Sequence, residues 1–115
     1  MSSTFYHNPR CSKSRQTLQL LNENGVDLDV VEYLKTPPDY ETLNAILTML
    51  NIEPRDLMRK GEDEYTQLNL NNAALTREQL IHAMVETPKL IERPILVKDG
   101  KAVIGRPPEL VLELL

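Results

Sequence analysis

The sequence predicts an α/β protein with a mixed sheet flanked by helices. Two observations predict this class. In the amino-terminal third, two β-prone runs lie on either side of a helical pattern, which is a β-α-β order. Near the carboxyl terminus, a hairpin signal is followed by a final helical segment, which is a β-β-α order. The patterns between these halves are helical, so we expect a helical insertion there.

The first β-α-β unit is read from short local signals. "STFYH" is a β-prone run that predicts a first strand, and "NPRC" turns the chain after it. Residues 11 to about 24 read as a helix, because Leu18 and Leu21 share a face and Gly25 stands at the stop position. "LDVVEYL" predicts the second strand.

The insertion is expected to hold three helices. "TPPD" predicts a helix start with Thr36 as N-cap, before an apolar stripe that contains Leu43, Ile46, Leu47 and Leu50. "EPRDLMRKG" predicts a shorter helix that ends at Gly61, and "GEDE" reads as a solvated turn. "LTREQLIHAMVE" predicts a helix whose capping box is formed by Thr76 and Gln79.

The carboxyl-terminal unit has the clearest local signal. Two β-prone runs flank Asp99-Gly100, the kind of dipeptide preferred in a two-residue type I′ hairpin turn. "RPPELVLELL" then predicts a last helix whose prolines suit its first turn. This element order is that of a thioredoxin-like domain, and we expect residues 1–115 to form it as a single domain.

Composition limits the partners and the cellular compartment expected for this protein. The chain has 115 residues and a formal net charge of −4, so its overall field does not favour nucleic acid. No apolar run approaches the length of a membrane span. One cysteine excludes an internal disulfide, and two separated histidines make a Cys/His zinc site implausible. We expect a cytoplasmic protein that is a monomer and binds neither metal, nucleic acid nor membrane.

The single thiol, Cys11, lies among the cations Arg10, Lys13 and Arg15. Pro9 breaks any preceding helix, so Cys11 falls at the N-cap or in the first turn of the next one. Unpaired N–H groups and the positive end of the helix dipole stabilise an anion there, so we expect a thiolate nucleophile with a lowered pKa. The alternative is an inert, buried thiol that serves only in packing.

The spacing around Cys11 excludes two kinds of site. Phosphatase-type loops place an arginine six residues after the cysteine, where this chain has Thr17. Dithiol oxidoreductases have a second cysteine three residues on, where this chain has Ser14. Any oxidised or covalent intermediate on Cys11 must therefore be reversed by an external thiol.

Four segments together resemble the glutaredoxin-dependent arsenate reductases in order and spacing: "YHNPRCSKSRQTL", "LMRKGEDEY", "ERPILV" and "GRPPELVLELL". The resemblance spans essentially the whole chain. It implies a thioredoxin-like fold, Cys11 as the nucleophile, and oxyanion binding by Arg59, Arg93 and Arg106. It also implies a cis-proline at Pro94.

The resemblance implies supporting roles for three polar residues. His7 is similar to the family histidine that influences the thiol, and Asn8 and Ser14 are similar to supporting groups of the site. From the residues alone, a purely structural role for His7 is equally open.

Arg59 is expected at the end of a short helix, where a cation complements the helix dipole.

One departure lies beside the cysteine. Plasmid-type members carry small residues there, as in "NPACGTS", whereas this chain has Arg10, Ser12 and Lys13. We expect the two long cations of this set, Arg10 and Lys13, to lower the thiol pKa further.

The implied activity is reduction of arsenate to arsenite through a covalent adduct on Cys11. Glutathione is the implied reducing co-substrate, glutaredoxin is the implied partner, and no bound cofactor is implied. Two alternatives are a partner-binding regulator similar to the Spx type and a monothiol glutathione-dependent oxidoreductase. Neither alternative requires three anion-binding arginines, so those arginines favour the oxyanion enzyme.

Overall fold

The computed structural model describes residues 3–115, which group into two compact units. The first unit contains residues 3–36 together with Arg93–Leu115, and the second contains Pro37–Glu92. The second unit is therefore an insertion in the sequence of the first, as the helical pattern predicts.

Four strands form the sheet of the first unit in the described residues: β1 (Ser3–His7), β2 (Leu28–Glu32), β3 (Ile95–Lys98) and β4 (Lys101–Ile104). Their order is β2-β1-β3-β4. Strand β1 pairs in parallel with β2 and antiparallel with β3, which pairs antiparallel with β4. This mixed sheet confirms the predicted fold class.

Helix α1 (Ser12–Glu23) connects the two parallel strands. Its C-cap is Asn24, and Gly25 follows with φ +69°, the left-handed conformation expected of a helix stop. Strand β2 is shorter than its sequence run, since the chain turns after Glu32 and the N–H of Lys35 donates to the Glu32 carbonyl at 2.9 Å.

The hairpin between β3 and β4 has the predicted turn. Asp99 and Gly100 have φ +52° and +75°, as a type I′ turn requires. The last helical segment (Pro108–Leu114) is a 3₁₀ helix, with Pro107 as its N-cap.

The core of the first unit takes one fully buried side chain from each of four elements: β1, α1, β3 and the last 3₁₀ helix. Phe5, Leu21, Leu96 and Val111 are fully buried and pack together. Phe5 and Leu96 are direct cross-strand partners, so they project from the same face of the sheet. Helix α1 and the final 3₁₀ helix are thereby held against that face.

Helices make up the second unit: α2 (Tyr40–Leu50), a 3₁₀ helix (Pro54–Leu57), α3 (Asp63–Gln67), α4 (Arg77–Glu86) and a 3₁₀ helix (Pro88–Leu90). Helices α2 and α4 pack against each other. The apolar side chains buried on these two helices are Leu43, Ile46, Leu47, Leu80, Ile81 and Met84. The predicted capping box of Thr76 and Gln79 is confirmed.

The predicted start of α2 was wrong. Asp39 is the N-cap, with its carboxylate accepting from the N–H of Thr42 at 2.8 Å, and Thr36 lies outside the helix. The reason is the Pro-Pro pair, because a proline disfavours helical geometry in the residue before it. Pro37, which precedes Pro38, therefore does not begin the helix.

The helix expected to end at Gly61 is also shorter than predicted. It ends at Leu57, and Met58 forms an antiparallel bridge with Ile91. The Leu57 carbonyl accepts from the Glu92 N–H, so it is not available to continue a helix. Arg59 consequently does not terminate a helix. The acidic run does not remain a turn, because Glu62 is the N-cap of α3 and the next two acidic residues lie within it.

No helix in residues 3–115 is long and apolar enough to cross a membrane.

Candidate active site

Cys11 is the N-cap of α1, as predicted. Its backbone is extended, with φ −94° and ψ 123°, and its carbonyl accepts the first helical hydrogen bond from the Arg15 N–H at 3.0 Å. A tight turn sets this position, because the Cys11 N–H donates to the Asn8 carbonyl at 3.0 Å. The side chain is partly exposed, so a solute has access to the thiol.

Several groups act on the pKa of the Cys11 thiol. Partial burial acts to raise it, but the backbone N–H of Ser14, the guanidinium of Arg93 and the backbone N–H of Lys13 act to lower it. The net effect is a pKa below the ordinary value. A lowered pKa makes the thiolate a larger fraction of the sulfur at neutral pH, which is what a nucleophile needs. The inert-thiol alternative is therefore disfavoured.

Arg106 lies beside the sulfur. Its Nη2 is 3.5 Å from Cys11 Sγ, and its Nε donates to the Arg93 carbonyl at 2.8 Å. That second bond fixes the plane of the guanidinium while the other end faces the thiol. The structure thus places two of the three predicted arginines, Arg93 and Arg106, at Cys11.

Two proline junctions carry these arginines. The peptide bond between Arg93 and Pro94 is cis, as the resemblance implies, and the bond between Arg106 and Pro107 is also cis. Only about one X-Pro bond in twenty is cis in folded proteins, so base rates gave no signal for the second one.

Gly105 is a residue of this site that the sequence analysis missed. Its N–H donates to the Pro94 carbonyl at 2.9 Å. A Cβ at this position would lie 2.9 Å from Pro94 Cγ and 3.1 Å from Thr17 Cγ2. Only glycine allows this close approach, which sets the position of Arg106 in the next residue. A glycine directly before an Arg-Pro-Pro start was the available signal.

His7, Asn8 and Ser14 form a buried polar cluster behind the thiol. Ser14 Oγ accepts from the Asn8 N–H at 3.0 Å and lies 2.6 Å from His7 Nδ1. Burial is the main cause that lowers the pKa of His7, outweighing the Glu32 carboxylate, which acts to raise it. The imidazole is then neutral near pH 7, and its Nδ1 shares a hydrogen bond with the Ser14 hydroxyl.

The three predicted supporting residues are therefore brought together, with His7 acting on Ser14. Ser14 in turn presents its N–H to Cys11. Asn8 also fixes the turn, because its Oδ1 accepts from the Arg10 N–H at 3.0 Å.

The charges of Arg10 and Lys13 are not the main cause of the lowered pKa. Both side chains are exposed, and neither charge is among the largest influences on the Cys11 pKa. Lys13 acts through its backbone N–H, whereas its side chain is exposed to solvent. The charge that stabilises the thiolate comes from Arg93, which is distant in sequence.

Arg59 lies in the second unit, just after the bridge of Met58 with Ile91. Its Nη1 is 3.3 Å from Glu92 Oε1. Glu92 is a second residue that the sequence analysis did not single out, although it stands directly before Arg93. No group of three or more His, Cys, Asp or Glu side chains in residues 3–115 is arranged to hold a metal ion.

The family model of the ArsC family matches residues 6–114, which contain all of these residues. The chain belongs to the ArsC family. The match confirms the resemblance that the four sequence segments indicate.

Relatives of this ArsC-family chain include named arsenate reductases. It is 46% identical over 106 residues to an arsenate reductase of Neisseria meningitidis, covering 91% of each chain. It is 60% identical over 111 residues to the Escherichia coli K12 protein named "Uncharacterized protein YfgD", covering 96% of this chain and 93% of that protein. The structure of an arsenate reductase from Vibrio cholerae is similar, with TM-score 0.97 and 50% identity, over 100% of this chain and 98% of that chain.

Proposed function

We propose that this protein is an arsenate reductase in which the Cys11 thiolate attacks arsenic. One observation carries the proposal: a helix-capping cysteine with a lowered pKa lies against the guanidinium groups of Arg93 and Arg106. A nucleophile beside two cations suits an anionic electrophile better than a neutral one. Relatives of similar length carry the name arsenate reductase, which supports the choice of arsenate.

The first step forms a bond between sulfur and arsenic. Cys11 Sγ donates its electron pair to As(V), one arsenate oxygen takes up protons, and it leaves as water. No electrons are transferred to arsenic in this step. Arg93 and Arg106 offset the negative charge on the arsenate oxygens, as preorganised donors do for other oxyanions. By the resemblance, Arg59 supplies a third cation.

Reduction requires thiols from outside the chain, since Cys11 is its single cysteine. In the net reaction, one glutathione thiol and one glutaredoxin thiol form a disulfide. Their two electrons reduce As(V) to As(III), arsenite departs, and Cys11 is released as the thiolate. His7, Asn8 and Ser14 take no part in bond formation in this scheme, and they hold the turn that carries the thiol.

The test is arsenite formation by the purified protein with arsenate, glutathione and glutaredoxin, omitting each component in turn. Each omission should stop sustained turnover. Cys11→Ser should also stop it, because a hydroxyl is a far weaker nucleophile at neutral pH. Ser12→Ala, a change at the next exposed residue, is the matched control and should retain activity. Sustained arsenite production without any added thiol would contradict the proposal.

A further inference from the structure

Glu92 forms an ion pair with Arg59 inside the second unit. Arg59 Nη1 lies 3.3 Å from Glu92 Oε1, and the two side chains are 25% and 26% exposed. Most of each charged group is thus removed from bulk water, so the pair is screened less than a surface pair. The Glu92 carboxylate is thus paired with Arg59, a cation that the proposed function assigns to oxyanion binding.

The backbone fixes this pair. The Arg59 N–H donates to the Leu90 carbonyl at 2.7 Å, and the Glu92 N–H donates to the Leu57 carbonyl at 2.7 Å. These bonds flank the antiparallel bridge between Met58 and Ile91. Arg59 and Glu92 are therefore diagonal neighbours on one face of a short ladder, a separation that long side chains can span.

The guanidinium is not saturated by Glu92. A guanidinium has five N–H donors, and the Nε of Arg59 is buried without a hydrogen-bond partner in the described residues. The pair also lines an open cavity of about 490 Å³, whose other charged residues are Arg55, Asp56, Lys60 and Glu62. Because the Arg59 side chain is 25% exposed and lines this cavity, a small ion from solvent can reach its exposed part while Glu92 still holds Nη1.

We propose that Glu92 is a positioning residue that sets how strongly Arg59 binds an oxyanion. Its carboxylate orients the guanidinium through Nη1. As a fixed anion on the same cation, it also repels the incoming oxyanion and lowers its affinity. The inference rests on the proposed function only in assigning Arg59 to the oxyanion site.

The two effects are separated by two substitutions. Glu92→Gln keeps an oxygen acceptor for Nη1 and removes the charge, so oxyanion affinity should rise, by about tenfold if the repulsion is near 1.4 kcal/mol. Glu92→Ala removes the acceptor as well, so Arg59 loses its orientation and the gain in affinity should be smaller. Glu92→Gln keeps a neutral hydrogen-bond acceptor for Nη1 and should fold, and thermal unfolding of both variants checks that the binding differences are not caused by unfolding.

The measurement is calorimetric titration of the full chain with sulfate, which does not react with the thiol, and of the Cys11→Ser variant with arsenate. Titrations at low and high ionic strength add a readout that a merely structural role would not change. The increase in affinity for Glu92→Gln should shrink as salt screens the lost repulsion. In turnover, KM for arsenate should fall with no rise in kcat, the signature of uniform binding.

Glu64→Gln is the matched control. It removes the same charge from another ion pair of the second unit, with Lys89 at 3.4 Å, and Glu64 does not line the cavity. It should leave oxyanion affinity unchanged. An equal rise in this control would reduce the effect to net charge and overturn the inference.

The remaining outcomes are also decisive. Unchanged or weaker oxyanion binding in Glu92→Gln would overturn the inference even if the wild type reduces arsenate. The absence of measurable oxyanion binding in both the wild type and Glu92→Gln would also overturn the inference. If Glu92→Gln binds the oxyanion more tightly but the wild type does not reduce arsenate, the role of Glu92 is supported and the proposed reaction is rejected.

Discussion

The Nη2 of Arg106 lies 3.5 Å from the Sγ of Cys11, although the two residues are 95 positions apart in sequence. The same guanidinium is anchored to the Arg93 carbonyl through Nε. Arg106 therefore depends on the Arg93 segment for its orientation, and both arginines meet the thiol as one assembly.

Arg106→Ala should reduce kcat/KM for arsenate by about 10²-fold or more, as loss of an oxyanion-hole donor does in other enzymes. Arg106→Lys should recover only part of the activity. Lysine keeps the charge, but it lacks the planar guanidinium that contacts the Arg93 carbonyl and the thiol at the same time. Steady-state kinetics measure both effects. Arg10→Ala is the control, since Arg10 is an exposed cation beside the same cysteine. An equal loss in Arg10→Ala would contradict the assignment.

Arg93→Ala should raise the pKa of Cys11, because the Arg93 guanidinium is the side chain that acts to lower it. In the wild type the thiol should titrate below the ~8.5 of free cysteine. Since the thiolate is the reactive form, kcat/KM should rise with pH up to that pKa and then level off. The measurement is ultraviolet thiolate absorbance against pH. A Lys13→Ala variant should titrate like the wild type, and a shift there as large as in Arg93→Ala would refute this cause.

His7 predicts a pH dependence of stability. Its pKa in the folded protein is lowered from 6.5, mainly by burial, so the unfolded chain binds a proton that the folded one does not. The stability contributed by neutral His7 is therefore present above the unfolded pKa and is lost as the pH falls. Urea unfolding at about pH 8 and about pH 5 should show a smaller loss in His7→Gln than in the wild type.

His82→Gln is the control for that experiment, because His82 is exposed. It should leave the pH dependence as in the wild type. Identical pH dependence in all three proteins would show that His7 is not responsible.

Gly105→Ala should destabilise the protein by about 1–3 kcal/mol, the usual cost of overpacking. The added methyl would meet the Pro94 ring at 2.9 Å and Thr17 at 3.1 Å, and both neighbours are rigid. Activity should fall as well, since Arg106 follows directly. Gly61→Ala is the matched control, with no atom within 4 Å of the added Cβ. Thermal unfolding compares the two, and equal midpoints would disprove the close-approach argument.

Local signals in the sequence determined much of the fold. The Asp99-Gly100 turn, the Thr76 capping box and the placement of Cys11 at a helix start are all as predicted. Each depends on the backbone preferences of a few adjacent residues, which a sequence displays directly. The error at Thr36 has a local cause, a proline acting on its predecessor. The error after Leu57 has a tertiary cause, because the distant segment at Ile91 and Glu92 takes the hydrogen bonds that would continue the helix.

Only the tertiary structure decided which charges act on Cys11. Sequence proximity favoured Arg10 and Lys13, whose side chains are exposed to solvent. The mixed sheet instead brings the Arg93 and Arg106 segments, one before β3 and one after β4, to the cysteine that follows β1. Strand pairing sets which distant segments meet, and charge acts through space over a few ångströms. For that reason the composition of the "NPRCSK" segment did not identify the cations at its own thiol.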